Sequence, residues 1–334
     1  MRPTAAAEPF PGFDAADVPR GVAFSRGKVR DIFHCGDTLL IVTSDRISAF
    51  DRILGLVPHK GEVLTQLSSW WFDRVGDIVA HHLLATPTAR SMHVQRCDVL
   101  PVEVVVRAYL TGSAWRDYQA GRPVSGITLP GGMRWNEQLR RPLLTPSTKA
   151  GQGAHDRPIS CAEVVELGLV APRLWQQIEE TALALFERGR RICAERGLIL
   201  VDTKYEFGLC DGRLTLADEI HTPDSSRFWF AGHYRELFER GQGQRKLDKE
   251  YLRQWLMDHG FLGDGEPPAI PAEVFDQVAQ RYISAYETIT SKQFAASGDN
   301  VEAARQKVLL YLSGLQSESN EEGNVGSDQP PRRQ

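Results

Sequence analysis

Between Leu198 and Trp229 the chain reads LILVDTKYEFGLCDGRLTLADEIHTPDSSRFW. Two apolar, strand-like runs flank Asp211-Gly212, a dipeptide that marks a hairpin turn. Asp202, Lys204, Glu206, Asp218 and Glu219 are interleaved with the apolar residues. Strand side chains alternate between faces, so such a hairpin buries at least one face and holds charge beside it. Ionised groups next to a core need partners or a bound ion. The segment therefore demands a sheet with one polar wall, and that wall suits a metal ion and a phosphorylated ligand.

The residues leave two registers open. A two-residue turn pairs Cys210 with Arg213 and puts Glu206 on a face with Glu219. It also gathers Val201, Phe207, Leu214 and Leu216 on one face, as the apolar pattern prefers. A three-residue loop ending in a left-handed Gly212 pairs Leu209 with Arg213, sets Lys204 opposite Asp218, and leaves Glu206 diagonal to Asp218. Diagonal neighbours lie roughly 7–8 Å apart at the backbone, a span two carboxylates can share around Mg²⁺.

The 334 residues suffice for two lobes. A net charge of -4 gives no global attraction to nucleic acid or acidic membranes. No apolar run is long enough to span a bilayer, and the first residues lack a signal-peptide pattern, so a cytoplasmic protein is expected. The five cysteines are widely spaced with no Cys-x-x-Cys, which argues against a disulfide framework or zinc site. Strands are expected near 39–43, 53–57 and 102–110, and helices near 64–75, 172–196, 248–259 and 271–290. The fold class is α+β, because the strands do not alternate regularly with helices. The expected divisions are a loosely held arm over 1–18, a β-rich lobe over 19–110, an α+β lobe over 111–316 and a disordered tail over 317–334.

Further site elements lie in loops. Ser25-Arg26-Gly27-Lys28-Val29-Arg30-Asp31 offers glycine and cations to a phosphate without the full P-loop pattern. Thr43-Ser44-Asp45-Arg46-Ile47-Ser48 ends an apolar run, where Ser44 or Asp45 also suits a cap. Arg107, inside VEVVVRAYL and ahead of Thr111-Gly112-Ser113, needs a bidentate partner: a phosphate, or a buried carboxylate. Lys149 follows Thr145-Pro146-Ser147-Thr148; in isolation it reads first as a solvated loop lysine, and a nucleotide phosphate is the functional alternative. His155-Asp156 reads as structural and His81-His82 as surface. Pro223-Asp224-Ser225-Ser226-Arg227 combines hydroxyls with a guanidinium, a cradle for a sugar phosphate, although Asp224 also suits an Asx turn.

Eight blocks, in order, resemble the phosphoribosylaminoimidazole-succinocarboxamide synthase (SAICAR synthetase) family: GKVRDIF, TSDRISAFD, PHKGEVLTQLSSWWF, VVVRAYLTGSAWRDY, TPSTKAGQGAHD, LVDTKYEFGL, LADEIHTPDSSRFW and LDKEYLRQWL. They span roughly residues 20–290. The resemblance implies a two-lobed fold with ATP in the cleft. It implies an ATP- and Mg²⁺-dependent ligase that joins L-aspartate to carboxyaminoimidazole ribonucleotide, through an acyl phosphate.

By matching position, Glu206 and Asp218 would be the metal and nucleotide carboxylates, which selects Asp218 and the three-residue loop. Lys28, Arg30 and Lys149 would meet ATP phosphates. Arg107, Ser113, Ser226 and Arg227 would hold the ribonucleotide phosphate. Lys204 and Asp224 would lie beside the imidazole, and Asp45, Arg46 and Ser48 would serve the site, with aspartate as one ligand. The family commonly carries acids where Gly151 and Ala154 stand. A kinase acting on another phosphorylated metabolite, or a silent nucleotide-binding module, would use many of the same residues.

Overall fold

The computed structural model describes residues 8–50, 52–149, 156–247 and 250–325. The strands in chain order are β1 (Ala23–Arg26), β2 (Arg30–Cys35), β3 (Thr38–Thr43), β4 (Arg46–Ala49), β5 (Arg52–Leu56), β6 (Ala80–His81), β7 (Leu83–Thr88), β8 (Ser91–Gln95), β9 (Asp98–Tyr109), β10 (Gln138–Leu144), β11 (Ser147–Thr148), β12 (Leu198–Cys210), β13 (Arg213–Ala217) and β14 (Ser226–Phe230). Among the described residues β13 and β6 form the one parallel pair, and the fold class is α+β as expected.

The chain resolves into two compact units. The first takes in the described residues up to Thr65, Leu83–Arg96 and those from Ala295 onward. Its antiparallel sheet runs β1-β2-β3-β8-β7, with β4 and β5 as a separate hairpin. Phe33 and Leu40, paired across β2 and β3, join Val42 on one face. That face packs against Phe10, Phe13 and the Ala304, Val308 and Leu312 side of the helix Val301–Val325. Fully burying one such side chain stabilises the fold by about 1.5–3 kcal/mol.

These contacts correct two expectations. The arm expected to be loose is anchored from residue 8 onward: Phe10 and Phe13 are buried, and Phe10 exchanges hydrogen bonds of 2.7 and 2.8 Å with Asp45. The low-hydrophobicity composition of 1–18 masked two aromatic anchors. The tail expected to be disordered from 317 continues a helix to Val325, and residues 326–334 lie outside the described residues.

The second unit spans Gln66–His82 and Cys97–Phe294. Its seven-stranded sheet runs β10-β9-β12-β13-β6, with β11 also on β9 and β14 also on β12. A single boundary near 110 is therefore not observed: β9 is bound into this sheet by three neighbours, and the last helix returns to the first unit. The helix Pro172–Glu195 starts with its proline in the first turn and buries Trp175, Ile178, Leu185 and Phe186 at helical spacing. It packs against β12, whose Val201, Thr203, Tyr205 and Phe207 are buried. Helices expected near 248–259 and 271–290 occur as Glu250–Asp258 and Ala272–Thr290.

A disulfide joins Cys97, at the start of β9, to Cys210, at the end of β12. The expectation against disulfides rested on sequence spacing. Strand pairing overrides it, because the β9–β12 ladder reaches Asp98↔Leu209 and leaves the two cysteines at adjoining ends, with Cα atoms 4.7 Å apart.

Candidate active site

The central strand β12 sorts its side chains by parity. Val201, Thr203, Tyr205 and Phe207 enter the core, while Asp202, Lys204 and Glu206 share the other face. On the neighbouring β9, Glu103 stands across from Glu206 and Arg107 across from Asp202. Arg227 of β14 pairs with Asp202 from the opposite side. One polar face of three strands thus carries two charge clusters.

In the first cluster Lys204 Nζ donates to Glu103 Oε1 and Glu206 Oε1, both at 2.6 Å, and Lys149 Nζ bonds Glu206 Oε2. Lys149 arrives by way of β11, whose Ser147 pairs with Glu103. Burial would raise the Glu206 pKa, but Lys204 and Lys149 outweigh it and hold the carboxyl at about 2. Burial raises Glu103, opposed by Lys204. Burial works against the Lys204 ammonium, yet Glu206 and Glu103 lift its pKa above the usual lysine value. Lys204 is therefore a fixed cation at neutral pH and not a base.

In the second cluster Asp202 Oδ2 accepts from Arg107 at 3.0 Å and from Arg227 at 2.6 Å. Arg107 also donates to Thr145 Oγ1 at 2.9 Å and Ser113 Oγ at 3.1 Å. Burial lowers the Arg107 pKa, Asp202 opposes this, and Arg227 adds to the lowering. Two guanidiniums around one carboxylate leave an excess positive charge. The helix Gly112–Gln119 begins here without a side-chain cap. At Gly112, with φ +60°, an added Cβ would lie 2.4 Å from Arg227 Nη1, so the guanidinium rests against bare backbone at the helix start. A helix N-terminus beside surplus guanidinium charge is suited to phosphate. The carboxylate partner considered for Arg107 is present as well.

The hairpin register corrects the choice made from the family resemblance. Cys210 pairs with Arg213, Phe207 with Leu216 and Glu206 with Ala217, so the loop has two residues. Asp211 and Gly212 both have positive φ, 51° and 74°, as the favoured two-residue turn requires. Apolar pairing of Phe207 with Leu216 and Leu209 with Leu214 decides the register. Lys204 is thus not opposite Asp218. The ladder ends at Ala217, and Asp218 turns out of the strand at φ +65°. Its carbonyl accepts from His82 Nε2 at 3.2 Å, and His82 is buried, contrary to the surface expectation. Glu219 is buried and accepts from Thr222 Oγ1 at 2.5 Å.

The next turn is held locally by Thr222 and Ser225, with Ser226 N donating to Thr222 O at 2.9 Å. Asp224 is half-buried and accepts from Tyr282 Oη. Ser226, expected to touch substrate, instead points into the core and hydrogen-bonds Thr203 Oγ1 at 2.7 Å. Its strand parity opposes that of Arg227.

In the first unit residues 27–29 link β1 to β2, and the turn is closed by Gly27 N donating to Arg30 O at 2.7 Å. Lys28 is exposed and Arg30 half-buried. Asp45 and Arg46 are almost fully buried, which removes them from substrate contact. Asp45 caps the helix Lys60–Phe72 by accepting from Gly61 N at 2.8 Å, and holds Phe10 N. Arg46 pairs with Asp31 and binds three backbone carbonyls. Ser48 is half-buried in β4 opposite Ile53. Gly151, Ala154 and His155 lie outside the described residues.

Sequence reasoning missed Glu103 and Tyr282 as site residues, and placed Asp202 on the polar wall without its role between Arg107 and Arg227. Glu103 shares Arg107's parity in VEVVVRAYL, and Asp202 that of Lys204, so period-two counting marks both. Tyr282, 58 residues from Asp224, carried no local signal.

A model of the SAICAR synthetase family matches residues 23–266. A phosphoribosylaminoimidazole-succinocarboxamide synthase from Bacteroides thetaiotaomicron is 45% identical over 294 residues, covering 86% of this chain and 94% of that protein. The fold resembles SAICAR synthase from Saccharomyces cerevisiae, solved with SAICAR, at TM-score 0.73 and 35% identity over 83% of this chain and 98% of that one. It also resembles a type-2 SAICAR synthetase solved with ADP, at TM-score 0.63 and 26% identity over 82% and 100% of the two chains. Such likeness runs through the strands that carry both charge clusters, and the chain belongs to the SAICAR synthetase family.

Proposed function

We propose that the protein is an ATP-dependent amide ligase of purine biosynthesis. It joins L-aspartate to 5-amino-1-(5-phosphoribosyl)imidazole-4-carboxylate and yields SAICAR, ADP and phosphate. The observation that carries this reading is the shared face of β9, β12 and β14, where an anion site and a carboxylate–lysine site adjoin on one sheet.

The imidazole carboxylate oxygen attacks the γ-phosphorus of ATP, the bond to the ADP oxygen breaks, and an acyl phosphate forms. The aspartate amine then attacks the acyl carbon, phosphate leaves, and the nitrogen gives up a proton. No protein nucleophile is needed, so the residues act by position and charge. Arg107, Arg227 and Ser113 hold the ribonucleotide phosphate, supported by the excess cation around Asp202 and the uncapped helix start. Lys204, kept protonated by Glu103 and Glu206, offsets the negative charge that develops on the acyl oxygen as the aspartate amine attacks. Asp224, steadied by Tyr282, serves the imidazole substrate. Lys28, Arg30 and Lys149 take the ATP-phosphate roles.

Glu206, held ionised beside two lysines, and Asp218, just past the end of the same hairpin, would supply the carboxylates for Mg²⁺, an ion that uses one or two of them with phosphate oxygens and water. When bound, Mg²⁺ neutralises charge developing on the transferred phosphoryl group. The reading places the enzyme in the cytoplasm, with ATP and aspartate at hand.

An ADP-release assay tests it. Release that requires both the imidazole ribonucleotide and L-aspartate is expected. Release indifferent to aspartate would identify a kinase, and MgATP binding without release a silent module.

A further inference from the structure

We propose that Arg46 is a positioning residue for the nucleotide-phosphate loop, a role that rests on Lys28 and Arg30 meeting ATP. A guanidinium has five N–H donors in a rigid fork. In this chain Nε donates to Lys28 O at 3.1 Å, Nη2 to Gly27 O at 3.1 Å and Nη1 to Pro11 O at 2.7 Å. The other two donors meet Asp31, at 2.6 and 3.2 Å. The Arg46 side chain is 3% exposed and that of Asp31 0%. All five donors are consumed inside the fold, so no donor remains for a substrate carboxylate.

The two loop carbonyls that Arg46 grips belong to Gly27 and Lys28, on the turn that presents the cations. Holding those carbonyls inward sets the peptide planes of the turn, and with them the direction of the following N–H groups. Ser44 assists by donating to Val29 O through both N and Oγ, at 3.0 and 2.7 Å. The N-terminal segment closes over the pair. Phe13 N donates to Asp31 Oδ2 at 2.8 Å, and a Cβ at Gly12 would lie 2.1 Å from Asp31 Oδ2 and 2.3 Å from Arg46 Nη1. Residues 11–13 thus form a cover over the Arg46–Asp31 pair, and a side chain there would push directly on the fork.

Arg46→Lys keeps the charge but replaces the fork with one ammonium, which cannot reach three carbonyls and a carboxylate together. Full-length Arg46→Lys should bind MgADP at least tenfold more weakly. Its KM for ATP should rise by a similar factor, while KM for the ribonucleotide and for aspartate stay within twofold. Hydrogen exchange should quicken at the amides of residues 27–30 and remain unchanged in the second unit. Lys28→Ala added to Arg46→Lys should weaken MgADP binding by less than the product of the single effects, because both act on one loop. Gly12→Ala, which keeps Arg46, should reproduce the selective ATP effect, and it decides the matter if Arg46→Lys does not fold. Unchanged MgADP binding in a folded variant, or equal rises in all three KM values, overturns the proposal. Wild-type enzyme that binds no MgADP instead overturns the ligase reading, and the loop role with it. That failure is seen without any variant.

Discussion

Asp218 occupies a left-handed conformation, φ +65°, that Asn and Asp tolerate better than other side-chain residues. Asp218→Asn therefore keeps the backbone and removes only the charge. Turnover should fall to background while the thermal midpoint moves by no more than a few degrees; near-wild-type kcat would remove Asp218 from the metal site. Arg227 offers a complementary test. Truncating a hydrogen-bonded charge in such a site costs about 2 kcal/mol or more. Arg227→Ala should therefore raise the ribonucleotide KM some thirtyfold or more by that measure, with KM for aspartate little changed. An unaltered ribonucleotide KM would dismiss its phosphate role. Single-residue roles were only partly readable from sequence. Arg107 announced itself as a charge in an apolar strand, whereas Ser226 and Arg227 look alike in the loop and are separated only by strand parity. Asp45 and Arg46 looked functional because charge stood at a strand end. Their burial makes them supports of the cap, the arm and the loop.

Strands and helices were legible where local pattern governs them. The helix Pro172–Glu195 has its proline start and apolar spacing written in the chain, and the Asp211-Gly212 turn has its dipeptide. Register was legible too, once apolar pairing was weighed above analogy: Phe207 opposite Leu216 fixes it. Cysteine pairing was not, because 113 residues separate two positions that only the β9–β12 ladder brings together. The closed loop is long, and removing a disulfide costs about 2–4 kcal/mol, by a mechanism that depends on the denatured state. Cys97→Ser should lower the unfolding midpoint relative to oxidised wild type and bring it near that of wild type held in reductant. A protease digest without reductant should yield a linked Cys97–Cys210 peptide. Free thiols at both positions, with equal stability with and without reductant, would remove the staple.

At the scale of the molecule, each unit is closed by contacts distant in sequence. In the first, Glu62 accepts from Arg90 and from Ser297, so three separate stretches meet at one buried carboxylate. Composition could not show this, which is why a single boundary near 110 was expected. In the second unit, His221 follows the site acids and is fully buried, edge-on to Trp71 at 4.6 Å and hydrogen-bonded to Tyr205 Oη at 2.6 Å. Burial drives its pKa down from 6.5 to about 3. The folded chain thus keeps this imidazole neutral while the unfolded chain protonates it below about pH 6.5. Between those values the unfolded state binds the extra proton, so stability rises with pH and is lost as pH falls. From pH 7 to 5 the loss due to His221 is roughly 2 kcal/mol by that linkage. Glu206, whose pKa is depressed from 4.5 to about 2, weakens the fold as pH falls through the ordinary carboxyl range towards 2, below this window. His221→Gln leaves the Tyr205 hydroxyl an acceptor but does not titrate. Urea unfolding at pH 7, 6 and 5 should show the wild type losing stability faster than His221→Gln, with the curves converging towards pH 5. Parallel curves would mean that His221 takes up its proton in the folded chain as readily as in the unfolded one.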